Sequence, residues 1–192
     1  MSKKAENNVR VIAGKWKKLT LQVPSGGATR PTTDRVKESM FNLLPHQLDG
    51  HVLDLFAGSG SLGIEALSRG ATNAIFVDKD GKVLRTLREN LRRLGCKDEA
   101  QVWQMDWRRA VEQWTQSGQP MSWIFLDPPY RMNLWESILE VLPIELVHGG
   151  VVCESPRSVQ LPETINGLSQ TKVKVYGDIS VSIYRPWRQP SE

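Results

Sequence analysis

Residues 51–63 read HVLDLFAGSGSLG, and this stretch decides the fold. A short apolar segment runs directly into Gly58, Gly60 and Gly63, which satisfy the pattern GxGxxG before a helix-like segment. The next apolar segment, AIFVD, ends in Asp78, twenty residues after Gly58. A strand, a glycine turn, a helix and a second strand with a terminal acid predict a nucleoside-containing cofactor at the turn. The glycine pattern also fits a tight strand-to-helix turn without a ligand.

Apolar strands alternate with amphipathic helices from residue 51 onward, which predicts a parallel sheet covered by helices on both faces. The last forty residues depart from this rhythm, because two strands meet there at Gly177-Asp178, a typical two-residue hairpin turn. The predicted strands lie at 51–57, 74–78, 101–106, 122–127, 150–154, 172–176 and 179–184, and the predicted helices at about 32–44, 61–69, 81–94, 107–116 and 133–142.

The N-terminal segment is basic and carries an alternating apolar pattern that predicts a small β-hairpin. Residues 1–37 contain nine basic and two acidic residues, whereas the remaining 155 contain 16 and 19. We therefore expect two parts, a basic hairpin arm at 1–30 and a main domain at 31–188. A basic arm is typical of a polyanion-binding protein, although a solvated tail would have the same charge. The candidate RNA contacts are Arg10, Lys15, Trp16, Lys17 and Lys18, with Trp16 alternatively a core anchor of the hairpin.

The composition argues against several other classes of protein. Two cysteines without a CxxC pair, and three histidines without metal-binding spacing, predict neither a disulfide scaffold nor a metal site. No apolar run of about 18 residues is present, so no membrane span is expected. The polar start MSKKAENN lacks the apolar stretch of a signal peptide, and we expect a cytoplasmic protein.

Two further carboxylates bear on which cofactor the turn binds. Asp54 lies in the first strand, four residues before Gly58, where a carboxylate would repel a pyrophosphate and attract an ammonium and a sulfonium centre. This charge favours S-adenosylmethionine over a dinucleotide, although backbone N–H groups at the strand end could equally satisfy Asp54. Asp106 ends the third strand and could accept a hydrogen bond from an adenine amino group or cap the following helix.

A second motif, Asp127-Pro128-Pro129-Tyr130, follows the fourth strand, at the edge where open α/β sheets bind ligands. The two prolines remove two N–H donors, so the Asp127 carboxylate and the Pro128 carbonyl make the loop rich in acceptors. Such acceptors suit a nitrogen with two N–H donors, the exocyclic amine of a nucleobase. Drawing that amine toward tetrahedral geometry frees its lone pair, while Tyr130 can stack on the flipped base. A strand terminator with a polar cap is the alternative.

Several segments resemble known methyltransferases. DLFAGSG, FVDKD and LDPPY are similar to motifs of class I S-adenosylmethionine-dependent enzymes that act on exocyclic amines. VRVIAGKWKKLTLQVP at 9–24, RPTTDRVKESMFNLL at 30–44 and DLFAGSGSLGIEALSRGA at 54–71 resemble one family, the bacterial small-subunit ribosomal RNA guanine-N2 methyltransferases. The resemblance covers residues 9 to 186, and RPTTDRVKES before the glycine loop is its most specific part. It implies a Rossmann-like, seven-stranded, mostly parallel sheet of order 3-2-1-4-5-7-6 with an antiparallel C-terminal hairpin.

The resemblance also implies roles for individual residues. For the cofactor, it assigns the methionine part to Asp54, Gly58 and Gly60, the ribose to Asp78 and the adenine to Asp106, and the same motifs add Phe56 and Lys79. It assigns the target guanine to Asp127, Pro128, Pro129 and Tyr130. It places Arg30 and Thr32 over the cofactor or substrate.

These observations predict an S-adenosylmethionine-dependent enzyme that methylates the N2 amine of one guanine in small-subunit ribosomal RNA. We expect a monomer, with the RNA or a subunit assembly intermediate as its partner. Three alternatives stay open: an adenine-N6 methyltransferase on DNA or RNA, a dinucleotide-dependent oxidoreductase, and a nucleic-acid-binding module with a vestigial pocket. The first shares the DPPY motif, so this motif alone does not separate adenine from guanine.

Overall fold

The fold is a mixed sheet with helices on both faces and a small hairpin at its N-terminal end. The computed structural model describes residues 9–24 and 34–187. The strands are β1 (Val9–Arg10), β2 (Thr20–Leu21), β3 (His51–Asp54), β4 (Asn73–Asp78), β5 (Ala100–Gln104), β6 (Met121–Leu126), β7 (Val147–Pro156), β8 (Thr164–Ile165), β9 (Leu168–Tyr176) and β10 (Ile179–Pro186). The helices are α1 (Asp34–Phe41), α2 (Ser61–Ser68), α3 (Gly81–Leu94), α4 (Trp107–Ser117) and α5 (Trp135–Leu139), and within the described ranges no helix is long and apolar enough to cross a bilayer.

The main sheet has the strand order β5-β4-β3-β6-β7-β10-β9-β8. Strands β3 to β7 run parallel to one another, whereas β10 is antiparallel to both β7 and β9. This is the order that the resemblance implies, with the hairpin at Gly177-Asp178 where the sequence predicts it. The two-residue edge strand β8 is additional, and so short a strand carries no alternation that the sequence could reveal.

The sheet separates two hydrophobic clusters, because successive residues of a strand point to opposite faces. Helices α1, α2 and α3 cover one face, and Leu84, Leu87 and Leu91 form the buried stripe of α3. Helices α4 and α5 cover the other face, where Trp114 and Trp135 are fully buried. Both faces of the parallel strands are therefore apolar, as expected for a sheet with helices on each side.

The N-terminal hairpin packs against α2 and belongs to the first of these clusters. Val9, Val11 and Leu21 are buried in it. The Glu65 carboxylate of α2 accepts hydrogen bonds from the backbone N–H groups of Ile12 and Ala13, at 2.7 and 3.0 Å. The described part of the arm thus shares the main core, and the division into 1–30 and 31–188 stays a prediction.

The helix predicted at 133–142 is shorter than its apolar pattern indicates. A 3₁₀ turn occupies Tyr130–Met132, Asn133 has a φ of 45°, and α5 begins only at Trp135. A left-handed residue cannot continue a right-handed helix, so Asn133 separates the two segments. The predicted helix at about 32–44 begins outside the described residues, and α1 ends at Phe41.

Candidate active site

Acidic side chains lie at or within two residues of the carboxyl ends of four adjacent parallel strands. Asp54 ends β3 and lies in register with Phe76 of β4 and Phe125 of β6, so Asp78 and Asp127 each lie two residues beyond these partners. Asp78 in turn pairs with Gln104 of β5, two residues before Asp106. The strand order reverses at β3, and such a switch point opens a crevice at the carboxyl ends of the strands. The structure therefore brings the predicted acids to one edge of the sheet.

Asp54 is buried beneath the glycine turn. Its Oδ2 accepts a hydrogen bond from the backbone N–H of Gly63 at 2.9 Å. A backbone N–H group therefore satisfies part of this carboxylate, which is the alternative to ligand binding that the sequence left open. Burial raises the pKa of Asp54 to about 7, with a smaller contribution from the Asp78 carboxylate, and the Gly63 hydrogen bond opposes both. Near neutral pH this carboxyl group can therefore gain or lose a proton as its surroundings change.

The raised pKa of Asp54 gives a prediction for stability. The folded chain holds this proton more tightly than the unfolded chain, so the contribution is fully present below pH ~4 and is lost as the pH rises through about 7. We expect the free energy of unfolding to fall by about 2 kcal/mol more between pH 5 and 8 in the native protein than in Asp54→Asn. Urea denaturation of both proteins at the two pH values measures the difference. An equal fall in the free energy of unfolding in the two proteins would contradict the raised pKa of Asp54.

The three glycines of the turn serve different purposes. Gly58 has a φ of 54°, and a Cβ built there would meet no atom of the described residues within 4 Å. Gly60 has a φ of 90°, and a Cβ there would clash with Leu87 Cδ1. A Cβ on Gly63 would clash with the Phe76 ring of β4. Gly60 and Gly63 thus permit close packing, whereas Gly58 faces open space in which a ligand can approach the backbone.

Asp78 connects the turn to the next strand. Its Oδ2 accepts the Gly58 N–H at 3.1 Å, and its Oδ1 accepts the Asp80 N–H at 2.9 Å. A carboxylate has about four lone-pair sites, so Asp78 can also accept bonds from ligand hydroxyl groups. The open backbone at Gly58 and this half-buried carboxylate suit a nucleoside with a cationic substituent.

The other predicted cofactor residues differ in their surroundings. Phe56 is half-buried against the second hydrophobic cluster, and Lys79 is exposed. Asp106 caps α4 by accepting the Arg108 N–H at 2.9 Å, which is the alternative that the sequence left open. Arg30 and Thr32 lie outside the described residues.

The DPPY loop lies at the carboxyl end of β6. Pro128 is buried, Asp127 is half-buried, and Tyr130 is 41% exposed. The Tyr130 hydroxyl donates a hydrogen bond of 3.1 Å to Oε1 of Glu154, a residue of β7 that is only 3% exposed. The Tyr130 and Trp135 ring centroids are 6.1 Å apart.

Glu154 is the residue of this site that the sequence analysis missed. Leu126 pairs with Cys153, so Glu154 lies beside Asp127 in the next strand. It ends the apolar segment GVVCE, which is the same signal that marked Asp78 and Asp127. An acid at the end of a buried strand could therefore have been added to the candidates.

The charged residues of the arm are partly engaged within the protein. Arg10 Nε lies 2.8 Å from Asp34 Oδ2, and Lys15 Nζ lies 2.5 Å from Glu99 Oε2. Trp16 is half-buried and packs against the first hydrophobic cluster, as its core-anchor alternative describes. Lys17 and Lys18 are exposed.

Two further observations concern possible metal ligands and the thiols in the described part of the chain. Residues 9–24 and 34–187 contain no group of three His, Cys, Asp or Glu side chains that could hold a metal ion. Cys96 and Cys153 are both buried, and burial raises the pKa of Cys96 to about 11 and that of Cys153 further. Both thiols are therefore protonated near neutral pH.

Comparison with known proteins shows extensive similarity. The family model described as conserved hypothetical protein 95 matches residues 9–185. A Bacillus subtilis protein described as a candidate ribosomal RNA methyltransferase is 43% identical over 181 residues, covering 92% of this chain and 98% of the relative. Ribosomal RNA small subunit methyltransferase D of Escherichia coli is 36% identical over 181 residues, covering 92% and 89%. A solved Escherichia coli structure described as a candidate methyltransferase superposes with a TM-score of 0.79 at 36% identity, covering 95% of this chain and 99% of that one.

Proposed function

Because the chain belongs to the ribosomal RNA methyltransferase family described as conserved hypothetical protein 95, we propose that it methylates the exocyclic N2 amine of a guanine in small-subunit ribosomal RNA, with S-adenosylmethionine as methyl donor. The family and the class I methyltransferase fold that the sequence predicts are both confirmed. The observation that carries the proposal is the placement of the Gly58 turn and the DPPY loop at neighbouring strand ends.

The residues around Gly58 fit S-adenosylmethionine better than a dinucleotide. Asp54, Asp78 and Asp127 make this edge of the sheet acidic, which opposes a pyrophosphate and favours a ligand with an ammonium group. Asp78 would accept hydrogen bonds from the ribose hydroxyls, and Asp54 would attract the ammonium group in its ionised form. This charge argues against the dinucleotide-dependent oxidoreductase.

The DPPY loop would prepare the amine. Bound S-adenosylmethionine supplies an electrophilic methyl group on a sulfonium centre. The Asp127 carboxylate and the Pro128 carbonyl would accept the two amine N–H bonds, which localises the lone pair on nitrogen and holds it in line for attack. Transfer would form a carbon–nitrogen bond as the carbon–sulfur bond of the donor breaks, and Asp127 would take the proton that the methylated amine releases. Tyr130, with its ring partly exposed, would stack on the base.

The partner would be small-subunit ribosomal RNA or an assembly intermediate in the cytoplasm, and the enzyme would act as a monomer. In this proposal residues 1–30 hold the RNA and residues 31–188 carry the cofactor site. The exposed Lys17 and Lys18 would meet phosphates directly. Arg10 and Lys15 would first have to leave Asp34 and Glu99, which costs little because ion pairs made by exposed cations are weak.

The proposal is tested by methyl transfer onto unmodified small ribosomal subunits. Subunits and naked ribosomal RNA from a strain without this modification are incubated with the protein and cofactor labelled on the methyl group, and the digested nucleosides are identified by mass. We expect label in N2-methylguanosine. Label in N6-methyladenosine would establish the adenine alternative, and RNA binding without transfer would establish the vestigial-pocket alternative.

Replacing Asp78 with alanine should weaken cofactor binding. The substitution removes the acceptor of the ribose hydroxyls and the partner of the Gly58 N–H, so we expect the Kd for S-adenosylmethionine to rise by about 10- to 100-fold. Isothermal titration calorimetry measures this change. Glu112→Ala, an exposed acid of α4, is the matched charge control and should bind as the native protein does. An Asp78→Ala Kd within about twofold of the native value would refute the ribose assignment.

A further inference from the structure

The orientation of Tyr130 depends on contacts that the DPPY loop cannot make with its own backbone. Pro128 and Pro129 have no N–H group, so neither can donate a hydrogen bond that fixes the loop to the sheet. The described backbone bonds of the loop are local, from Met132 N–H to the Pro129 carbonyl at 2.9 Å and from Asn133 N–H to the Tyr130 carbonyl at 3.3 Å. Beyond its covalent link to β6, side-chain contacts therefore help to hold this segment against the sheet.

Glu154 receives two such connections. Its Oε1 accepts the Tyr130 hydroxyl at 3.1 Å, and its backbone carbonyl accepts Nε1–H of Trp135 at 2.8 Å. Tyr130 and Trp135 lie on either side of the left-handed Asn133 and have their rings in tilted contact. One residue of β7 thus anchors the loop at Tyr130 and the following helix at Trp135.

Glu154 and Trp135 differ from Tyr130 in their burial. Glu154 is 3% exposed and Trp135 is fully buried, so both belong to the rigid sheet and its covering helix. Tyr130 is 41% exposed, and the hydrogen bond from its hydroxyl to Glu154 opposes a change of rotamer of this exposed ring. The hydrogen bond to a buried carboxyl group and the contact with the Trp135 ring together favour the observed orientation of the Tyr130 ring.

We propose that Glu154 is a positioning residue, whose carboxyl group holds the Tyr130 ring in the orientation that stacks on the target base. This inference rests on the proposed function, because it gives Tyr130 the stacking role. Glu154 acts through Tyr130 and has no direct contact with the reacting atoms in this proposal. It is absent from the resemblance and from the motifs that the sequence analysis singled out.

A double-mutant cycle distinguishes positioning from a general structural role. We expect Glu154→Ala and Tyr130→Phe each to lower kcat/KM for RNA by about 10-fold, because a misplaced stacking ring misaligns the amine. The kcat/KM of the double variant should be no more than about threefold below that of the less active single variant, because both substitutions break the same hydrogen bond. Glu154→Gln keeps an acceptor oxygen and should retain most of the activity. Effects of the single substitutions that multiply in the double variant would overturn the inference.

A spectroscopic measurement tests the contact without using activity. The chain has three tyrosines, so fluorotyrosine-labelled protein should give three ¹⁹F resonances, and Tyr130→Phe identifies one of them. We expect Glu154→Ala to shift and narrow the Tyr130 resonance, while those of Tyr176 and Tyr184 stay in place. An unchanged Tyr130 resonance overturns the inference whatever the activity. A native protein that transfers no methyl group contradicts the proposed function instead, and the resonance still decides whether Glu154 holds the ring.

If Glu154→Ala does not fold, a substitution of the exposed Tyr130 tests the inference instead. Tyr130→Phe keeps the ring and removes only the hydroxyl, so we expect an unchanged fold, an unchanged Kd for S-adenosylmethionine and a kcat/KM for RNA about 10-fold lower. Adding Glu154→Gln to Tyr130→Phe should change kcat/KM by less than about twofold. Native activity in Tyr130→Phe would overturn the inference.

Discussion

Replacing Asp127 with alanine should lower kcat for methyl transfer by about 1,000-fold and leave the Kd for S-adenosylmethionine within about twofold of the native value. The reason is the position of Asp127 beyond the end of β6, in the loop that would bind the amine. Its carboxylate would both draw electron density onto the nitrogen and accept the released proton. These interactions develop in the transition state, so their loss affects kcat more than binding.

Single-turnover methyl transfer and calorimetry together measure this separation. Asp127→Asn is the matched variant, because its carbonyl oxygen still accepts one hydrogen bond from the amine but the side chain no longer takes a proton. Its kcat should lie between those of the native protein and Asp127→Ala. Near-native turnover in Asp127→Ala would contradict the amine-acceptor mechanism. An equal loss of cofactor affinity would instead place Asp127 in the cofactor site.

Replacing Glu65 with alanine should destabilise the fold by about 3–5 kcal/mol. Glu65 and Lys37 are both fully buried, with Lys37 Nζ 3.7 Å from Glu65 Oε2. Burial lowers the pKa of Lys37, and the Glu65 carboxylate opposes this change. Without Glu65, the buried Lys37 ammonium group would lose its main counter-charge, and the N–H groups of Ile12 and Ala13 would lose their acceptor.

The consequence should extend from the hairpin to the glycine turn. Lys37 Nζ also donates to the Arg10 carbonyl at 2.6 Å and to Oγ of Ser61, the first residue of α2, at 3.1 Å. Urea denaturation measures the loss of stability. Lys37→Met combined with Glu65→Leu removes the two fully buried charges and leaves Arg69, whose Nε lies 2.8 Å from Glu65 Oε1, so it should recover part of the loss. A Glu65→Ala protein within about 1 kcal/mol of the native stability would show that this buried pair does not hold the hairpin.

Local sequence patterns predicted most of the fold because the parallel strands are short, apolar and followed by clear turns. The glycine turn and the hairpin at Gly177-Asp178 are local features, and each appears where it was expected. The order of the strands came from the resemblance, since no local pattern states which strands pair. The break at Asn133 depends on a left-handed backbone in a polar residue, which the surrounding apolar periodicity concealed.

A contact of the site could be predicted from the sequence where a single motif contains both of its residues. Asp78 and Gly58 are twenty residues apart in a recognisable pattern, and the structure joins them by a hydrogen bond. The Glu65 contacts with the hairpin are 53 and 52 residues apart, and the sequence offers no pattern that pairs them. The charge of the arm predicted either a polyanionic partner or a solvated tail, but it could not show that Arg10 has a partner in Asp34.

The proposed recognition of an exocyclic amine is tested most directly by removing that amine. The guanosine that receives the labelled methyl group is replaced by inosine, which lacks only the N2 amino group, in otherwise identical ribosomal RNA assembled into subunits. We expect methyl transfer to this nucleotide to be lost, while RNA binding stays close to that of the guanosine substrate. Undiminished methylation of the inosine would contradict the claim that the DPPY loop presents the N2 amine to the methyl donor.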